Sequence, residues 1–368
     1  MFYFFLFGFF IHSSLTRSMD IENLLASKGK IVDREIEKIL PKKYDLNFLK
    51  KLLGKPRYAY SPKTLTKALS IPSWDLLSRG GKRWRPYLFL IIYEALGKRQ
   101  HNAFKYTSIP ELIHNGTIII DDIEDGSETR RGKPCLHKIF GEDIAINAGN
   151  FLYFLPMLHF KDTKLPPSKA RRAYEAYIEE MVQISMGQGV DIAWHRGLER
   201  KVSEEEYLQM CAFKTGTLSR LSARLAAILA GSSVKRERAV GHFAEAIGVA
   251  FQIQDDILNL RTSEKWGKTA GDDISEGKRT LIVIHFLKKA KPSERRRLLK
   301  ILDSHTKNKA NIKAAIALLE KYGSLDYAKE RARSIVKASW KDVDSLLKES
   351  KAKNQLKAFA DFLVERDI

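Results

Sequence analysis

The chain has 368 residues, 44% hydrophobic and 29% charged, enough to bury one large core or two ordinary ones. Its two cysteines, Cys135 and Cys211, exclude a disulfide-stapled scaffold and favour a reducing compartment such as the cytoplasm. A net charge of +20 and a pI near 9.7 point to an anionic partner: nucleic acid, an acidic membrane surface or a phosphorylated small molecule.

The N-terminus opens "MFYFFLFGFFIHSSLTRSM", whose apolar run from Phe2 to Ile11 is about half the ~20 residues that a membrane-spanning helix needs. No positive charge precedes it and no clear small-residue cleavage pattern follows, so it does not read as a secretory signal. Residues 1–18 are therefore expected to be a non-core extension, with 19–368 forming one domain; the rival reading is a short interfacial anchor. From Met19 onward apolar residues recur three and four apart with no sustained alternation, which predicts an all-α bundle of ten or more helices. Next comes a basic loop, "SRGGKRWRP", with Lys82 and Arg85. A helix then runs from Pro86 to a stop at Gly97.

The segment "ELIHNGTIIIDDIEDGSETRRGKP" carries an apolar helix into three aspartates and then into Arg130 and Arg131. Asp121 and Asp125 stand one turn apart on one face, with Asp122 about 100° round from the first. Paired carboxylates repel unless a cation compensates. Magnesium suits them, because it takes oxygen ligands and bridges one or two carboxylates to substrate phosphates. A solvated acidic helix end is the alternative on this segment alone. Further on, Ser203 and Glu206 form a capping box ahead of "YLQMCAFKTGTLSRLSARLAAILAG", with Lys214 and Thr215 inside it. A second copy of the acidic pattern follows in "AIGVAFQIQDDILNL", where Phe251 and Gln252 lie one turn before Asp255 and Asp256, and Asn259 one turn after. Phe251 reads as core, whereas an amide such as Gln252 on so apolar a face wants a partner. Paired glycines and arginine forks in the basic clusters suit phosphate oxygens. Residues 288–368 hold 21 basic against 11 acidic residues, a net +10, expected to be a solvated helical surface; a membrane or nucleic-acid patch is the alternative.

Taken together, "GGKRWRP", "ELIH", "DDIEDGSETRRGKP", "RRGKPCLHKIFGEDIAINAG", "MGQGVDIAW", "KTGTL", "FQIQDDILN", "GDDISEGKRTLIVIH" and "KYGSLDYA" resemble the trans-polyprenyl diphosphate synthases over roughly three quarters of the chain. The sequence departs from the family pattern at Asn259 and Asn150, where aspartate is usual; Asn259 is familiar in geranylgeranyl-type members. The resemblance implies the isoprenoid synthase fold, with its helices around a central active-site cavity. It also implies Mg-assisted ionisation of an allylic diphosphate, attack by the double bond of isopentenyl diphosphate, and loss of a proton. By resemblance, Asp121 and Asp125 hold two magnesium ions and Asp255 a third, with Asp122 and Asp256 supporting. The allylic diphosphate falls to Arg130, Lys214, Thr215, Gln252, Lys268 and Lys278, and isopentenyl diphosphate to Lys82, Arg85, His114 and Arg131. His114 lies seven residues before Asp121, on nearly the same helix face. Thr215 and the backbone around it are placed to stabilise the cation, and the released diphosphate is the implied proton acceptor. A homodimer is also implied.

Gly116 and Thr117 sit five and four residues before Asp121, where relatives that stop at fifteen carbons carry a bulky aromatic. Two small residues there imply a product of at least twenty carbons, geranylgeranyl diphosphate, and an aromatic at Gly116 is expected to shorten it. Longer-chain and C15 synthases are the alternatives. A class I terpene cyclase needs no isopentenyl diphosphate site, so "GGKRWRP" and "RRGKP" argue against one. A non-catalytic partner subunit would tolerate loss of the aspartates, and none is missing from the first motif. A nucleic-acid binder leaves the paired aspartates unexplained, and no nucleic acid is expected as partner.

Overall fold

The computed structural model describes residues 3–161, 165–261 and 271–365, with the backbone alone described for 3–20. The helical periodicity is realised throughout, giving the expected all-α fold; the strands among the described residues are β1 (Thr129–Arg130) and β2 (Lys133–Pro134), a two-residue hairpin. Two compact units form, one from Met1–Tyr174 with Ile228–Gly231, the other from Glu175–Ala227 with Ser232–Ile368. Among the described residues no helix is long and apolar enough to cross a membrane. The backbone of residues 3–18 continues the first helix, while the side chains on which an interfacial anchor would depend lie outside the described residues, as do residues 1 and 2.

The first unit contains α1 (Tyr3–Ile39), α2 (Leu46–Leu53), α3 (Pro62–Leu65), α4 (Ile71–Ser78), α5 (Trp84–Ala95), α6 (Ser108–Glu124), α7 (Leu136–Phe140) and α8 (Glu142–Phe154). Val32, Ile36 and Leu40 of the first helix region meet Leu76, Leu112, Ile119 and Leu152 in one core. Helix α5 is buried from Trp84 to Tyr93, as the unbroken apolar run from Pro86 onward requires. It stops as expected at Gly97, where the next amide, of Lys98, reaches back to the carbonyl of Tyr93 at 3.3 Å. It starts two residues before Pro86, because Arg83 adopts a left-handed conformation ahead of it.

Helix α6 carries "ELIHNGTIII" into the aspartates without a break, with Asp125 as its C-cap. It crosses α8 very closely. A Cβ at Gly116 would stand 2.8 Å from the carbonyl oxygen of Gly149 and 3.1 Å from the ring of Tyr153. An aromatic at 116 would therefore also press on the packing of these two helices.

The second unit is built on α9 (Pro167–His195) from Glu175 onward, α10 (Glu204–Cys211), α11 (Thr217–Ala230), α12 (Val234–Leu260), α13 (Asp272–Ser275), α14 (Leu281–Lys289), α15 (Pro292–Asp303), α16 (Lys309–Lys321), α17 (Ser324–Asp344) and α18 (Lys351–Glu365). The Ser203–Glu206 capping box forms with both reciprocal hydrogen bonds. The helix beyond it is not continuous: residues Ala212–Gly216 widen into a π-turn between α10 and α11. Bare glycines on two neighbouring helices admit this turn. A Cβ at Gly187 would lie 2.4 Å from the amide nitrogen of Lys214, and one at Gly248 would lie 2.6 Å from the Cα of Gly216. Single-turn π insertions of this kind recur at functional sites.

Behind the turn, α9, α11 and α12 share a buried ion network. The fully buried Glu180 accepts from Arg220 through Nε at 2.9 Å and Nη2 at 2.7 Å, and from Arg224 Nη1 at 2.9 Å. Glu245 also pairs with Arg220, and Glu237 pairs with Arg224 at 3.1 Å. Removing one member leaves buried charge uncompensated, at a cost of about 3–5 kcal/mol. Glu180→Ala should therefore lose about that much stability, and chemical denaturation monitored by circular dichroism measures it; a loss below about 1 kcal/mol would show that the network contributes little.

Candidate active site

In the first unit the aspartates divide by exposure. Asp121 keeps a quarter of its side-chain surface exposed, and the amide of Asp125 donates to its carbonyl at 2.9 Å, one turn on. Asp122 is buried and accepts two hydrogen bonds from Arg130, from Nε at 2.8 Å and Nη2 at 2.5 Å, while that guanidinium stays 4.0 Å from Asp121. Burial alone would lower the Arg130 pKa, but the hydrogen bond and charge of Asp122 reverse the shift.

The hairpin between β1 and β2 turns through Arg131 and Gly132, both at positive φ, as in a type I′ turn. The turn aims the Arg131 guanidinium at the carbonyls of Leu76 and Gly80 and at Asn115 Oδ1. Burial lowers its pKa; Glu111 partly offsets this, while Arg83, Arg130 and Arg79 add to it. His114 shares the same surroundings. Its Nε2 lies 3.3 Å from Arg85 Nη1, and since guanidinium only donates, Nε2 accepts. Burial, followed by Arg85, Arg131, Arg83 and Arg130, holds the imidazole well below its usual range, so it is neutral near pH 7. Arg85 also stacks its guanidinium 4.4 Å from the centre of the Trp84 ring. Lys82 is exposed in the loop before α5. Thr117 is half-buried, its hydroxyl donating to the His114 carbonyl at 2.8 Å.

Sequence reasoning passed over Arg83, Glu111 and Asn115. Arg83 is buried and donates to Glu111 at 2.6 Å, to Asp33 at 3.0 Å and to the Leu77 carbonyl at 2.9 Å. Asn115 donates to Glu111 at 2.9 Å and so places the oxygen that receives Arg131. The available signal was a glutamate and an asparagine one turn apart within an apolar helix.

In the second unit the π-turn carries Lys214 and Thr215. Lys214 Nζ lies 2.5 Å from Asp191, and the Thr215 hydroxyl donates to Gln252 Oε1 at 2.7 Å. Gln252 passes this on through Nε2, 2.9 Å from Asp256, whose other oxygen accepts from Tyr207 at 2.6 Å. The partner expected for the Gln252 amide is thus present on both sides. Burial and the charge of Asp273 push the Asp256 carboxyl up to about 8, against the opposing hydrogen bonds of Tyr207 and Gln252. Asp255, its half-buried neighbour on α12, turns to a different face. Lys278 pairs with Asp273 at 3.3 Å and Glu276 at 2.6 Å. Asn259 caps the following segment, its Oδ1 accepting from the Asp273 amide at 3.1 Å and its carbonyl from the Gly271 amide at 2.8 Å. Phe251 is half-buried, and Lys268 lies outside the described residues.

Asp191, Lys214, Gln252, Asp256 and Lys278 thereby line one cleft with Trp194, His195, Tyr207, Met210, Arg279 and Thr280. Asp191 and Tyr207 went unassigned from the sequence, although "MGQGVDIAW" contains the first. Among the described residues no three potential metal ligands gather, whereas magnesium asks for only one or two carboxylates beside substrate phosphates, which the aspartate pairs supply.

The chain matches the polyprenyl synthetase family over residues 66–319. It is 36% identical over 311 residues to a short chain isoprenyl diphosphate synthase of Methanothermobacter thermautotrophicus, covering 83% of this chain and 92% of that one. A geranylfarnesyl diphosphate synthase of Natronomonas pharaonis is 32% identical, covering 96% and 99%. The crystal structure of a geranylgeranyl pyrophosphate synthetase from Pyrococcus horikoshii superposes with a TM-score of 0.82 at 33% identity, covering 95% and 99%.

The relay from Tyr207 to Thr215 makes a specific demand. Tyr207→Phe removes one donor from the buried Asp256 carboxyl, worth about 1 kcal/mol, and should lower turnover about fivefold with helical content unchanged. Steady-state kinetics checks this; wild-type turnover in the variant would show that the hydroxyl is dispensable.

Proposed function

The chain belongs to the polyprenyl synthetase family and is a trans-prenyltransferase, and from that premise we propose that it condenses isopentenyl diphosphate with an allylic diphosphate to make geranylgeranyl diphosphate. The observation that carries the reading is the repeated pairing of a half-buried and a buried aspartate on one helix, each pair in a unit whose cations are held by carboxylates at partly exposed positions.

Asp121 and Asp125 would hold magnesium in the first unit and Asp255 in the second, three ions in all. Bound magnesium supplies neutralisation of the charge that develops on the departing diphosphate oxygens. The chain's own residues bind and orient the reactants. Lys214, Thr215, Gln252 and Lys278, with Arg130 and Lys268, would take the allylic diphosphate; Arg85, Arg131, Lys82 and neutral His114 would take isopentenyl diphosphate. A neutral imidazole can donate one hydrogen bond to an anion without adding charge to a cluster already rich in arginine. Asp122 and Asp256 hold their neighbours in place.

We read residues 19–368 as one catalytic domain. A homodimer is supported by the exposed stripe Ile178, Val182 and Met186, spaced four apart on α9. The small residues at 116 and 117 support a product of at least twenty carbons, and the geranylfarnesyl relative makes twenty-five the alternative.

Incubation with magnesium, isopentenyl diphosphate and allylic diphosphates from C5 to C20, followed by chromatographic sizing, should give a C20 product. Asp121→Ala and Asp255→Ala should each lower turnover at least a thousandfold with the fold intact by circular dichroism; elongation by either variant at the wild-type rate would overturn the assignment. Thr117 offers a gentler probe of chain length than Gly116. Thr117→Phe should shift the main product toward C15, and an unchanged product distribution would remove Thr117 from the tail path.

A further inference from the structure

The second unit holds a cavity of about 430 Å³ that uses none of the residues assigned above. Its size falls in the usual range for small-ligand sites, roughly 300–1,000 Å³. The apolar wall is built by Phe243, Val336, Trp340 and Val364, with the Phe243 and Trp340 rings edge to face at 5.2 Å between centroids.

The charged lining is unequal. Arg333 is held by Glu365, with two contacts of 2.6 Å, and by Glu330, which is not part of the lining, so Arg333 adds no unmatched positive charge. Against the remaining Asp361 stand Lys337, Lys341 and Lys357. Lys337 and Lys341 are exposed, lie one turn apart on α17, and make no ion pair among the described residues. Lys357 stands 6.0 Å from the centre of the Trp340 ring. Like charges one turn apart disfavour a helix unless an anion compensates.

An apolar wall with aromatic edges wants a hydrocarbon chain, and the lysines beside it want an anionic head. We propose that this cavity binds an amphiphile bearing a phosphate-type head on a hydrocarbon tail, at a site separate from the residues assigned to the reaction. Long tails favour Trp340 and Val336, and the head meets Lys337 and Lys341, where two point charges on flexible stems suit a phosphate group.

Dodecyl phosphate, titrated below its micelle concentration into the full chain without magnesium, probes the shared chemistry. Saturable binding by calorimetry should weaken at least tenfold in the double variant K337E/K341E, and inorganic phosphate should not bind measurably there. Both lysines are exposed, so the variant should keep wild-type thermal stability and elongation activity, which separates this test from that of the prenyltransferase site. Two arms distinguish the source of the head group: competition by free geranylgeranyl diphosphate, and sedimentation with phosphatidylglycerol vesicles, each sensitive to K337E/K341E. Binding of dodecyl phosphate that is absent, or equal in the wild type and K337E/K341E, would overturn the proposal.

Discussion

A carboxylate enclosed in a helical unit has to be met by a cation or by hydrogen-bond donors, because buried charge left alone costs several kcal/mol. Both units are arranged around this constraint, and the exposure of the cation separates two uses of it. Arg83 on Glu111 and Arg220 on Glu180 expose 5% and 10% of their side chains and fasten helices together. Arg130 on Asp122, Lys214 on Asp191 and Lys278 on Asp273 expose 25%, 23% and 28%. A pair that solvent can reach can also exchange its partner, so an arriving diphosphate would share these cations without unfolding anything. The ion pairs thus keep these cations ordered and soften their mutual repulsion.

The constraint also explains why the first unit reads as a receptor for an anion. Arg79, Arg83, Arg85, Arg130 and Arg131 converge there, and the acids among them are already engaged: Asp75 with Arg79, Glu111 with Arg83, Asp122 with Arg130. Burial and three neighbouring arginines depress Arg131, and burial and four depress His114. A neutral histidine is the state that adds no further repulsion. The positive field left over is what a negatively charged ligand would relieve.

What could be read from the sequence follows from which interactions are local. The run into Asp121, the Gly97 stop and the Ser203–Glu206 box are set within a few residues of helix, and each stands as its spacing predicts. The π-turn at Ala212–Gly216 depends on Gly187 and Gly248, which lie 25 or more residues away and act only through missing side chains. Gly116 is ambiguous for the same reason, since a small residue that lines a channel and one that admits a neighbouring helix look alike in one dimension. In "GGKRWRP" the spacing could not tell that Arg83 would turn inward to Glu111 and Asp33 while Lys82 stays exposed. Tyr207 and Asp191 reach their partners across 49 and 23 residues of sequence, beyond any periodicity.

The doubled aspartate is where local and distant information meet. Adjacent residues on a helix point about 100° apart, so two consecutive carboxylates cannot share one environment. In both motifs it is the second member that is buried and held: Asp122 by the Arg130 fork, Asp256 by Tyr207 and Gln252. The first member, Asp121 or Asp255, remains half-buried. The two solutions differ in charge. Asp122 has a full cation against it, whereas Asp256 has two neutral donors and a nearby Asp273, and its carboxyl is pushed up to about 8. The doubling therefore leaves the first aspartate of each pair half-buried and uses the second to fix the helix that presents it.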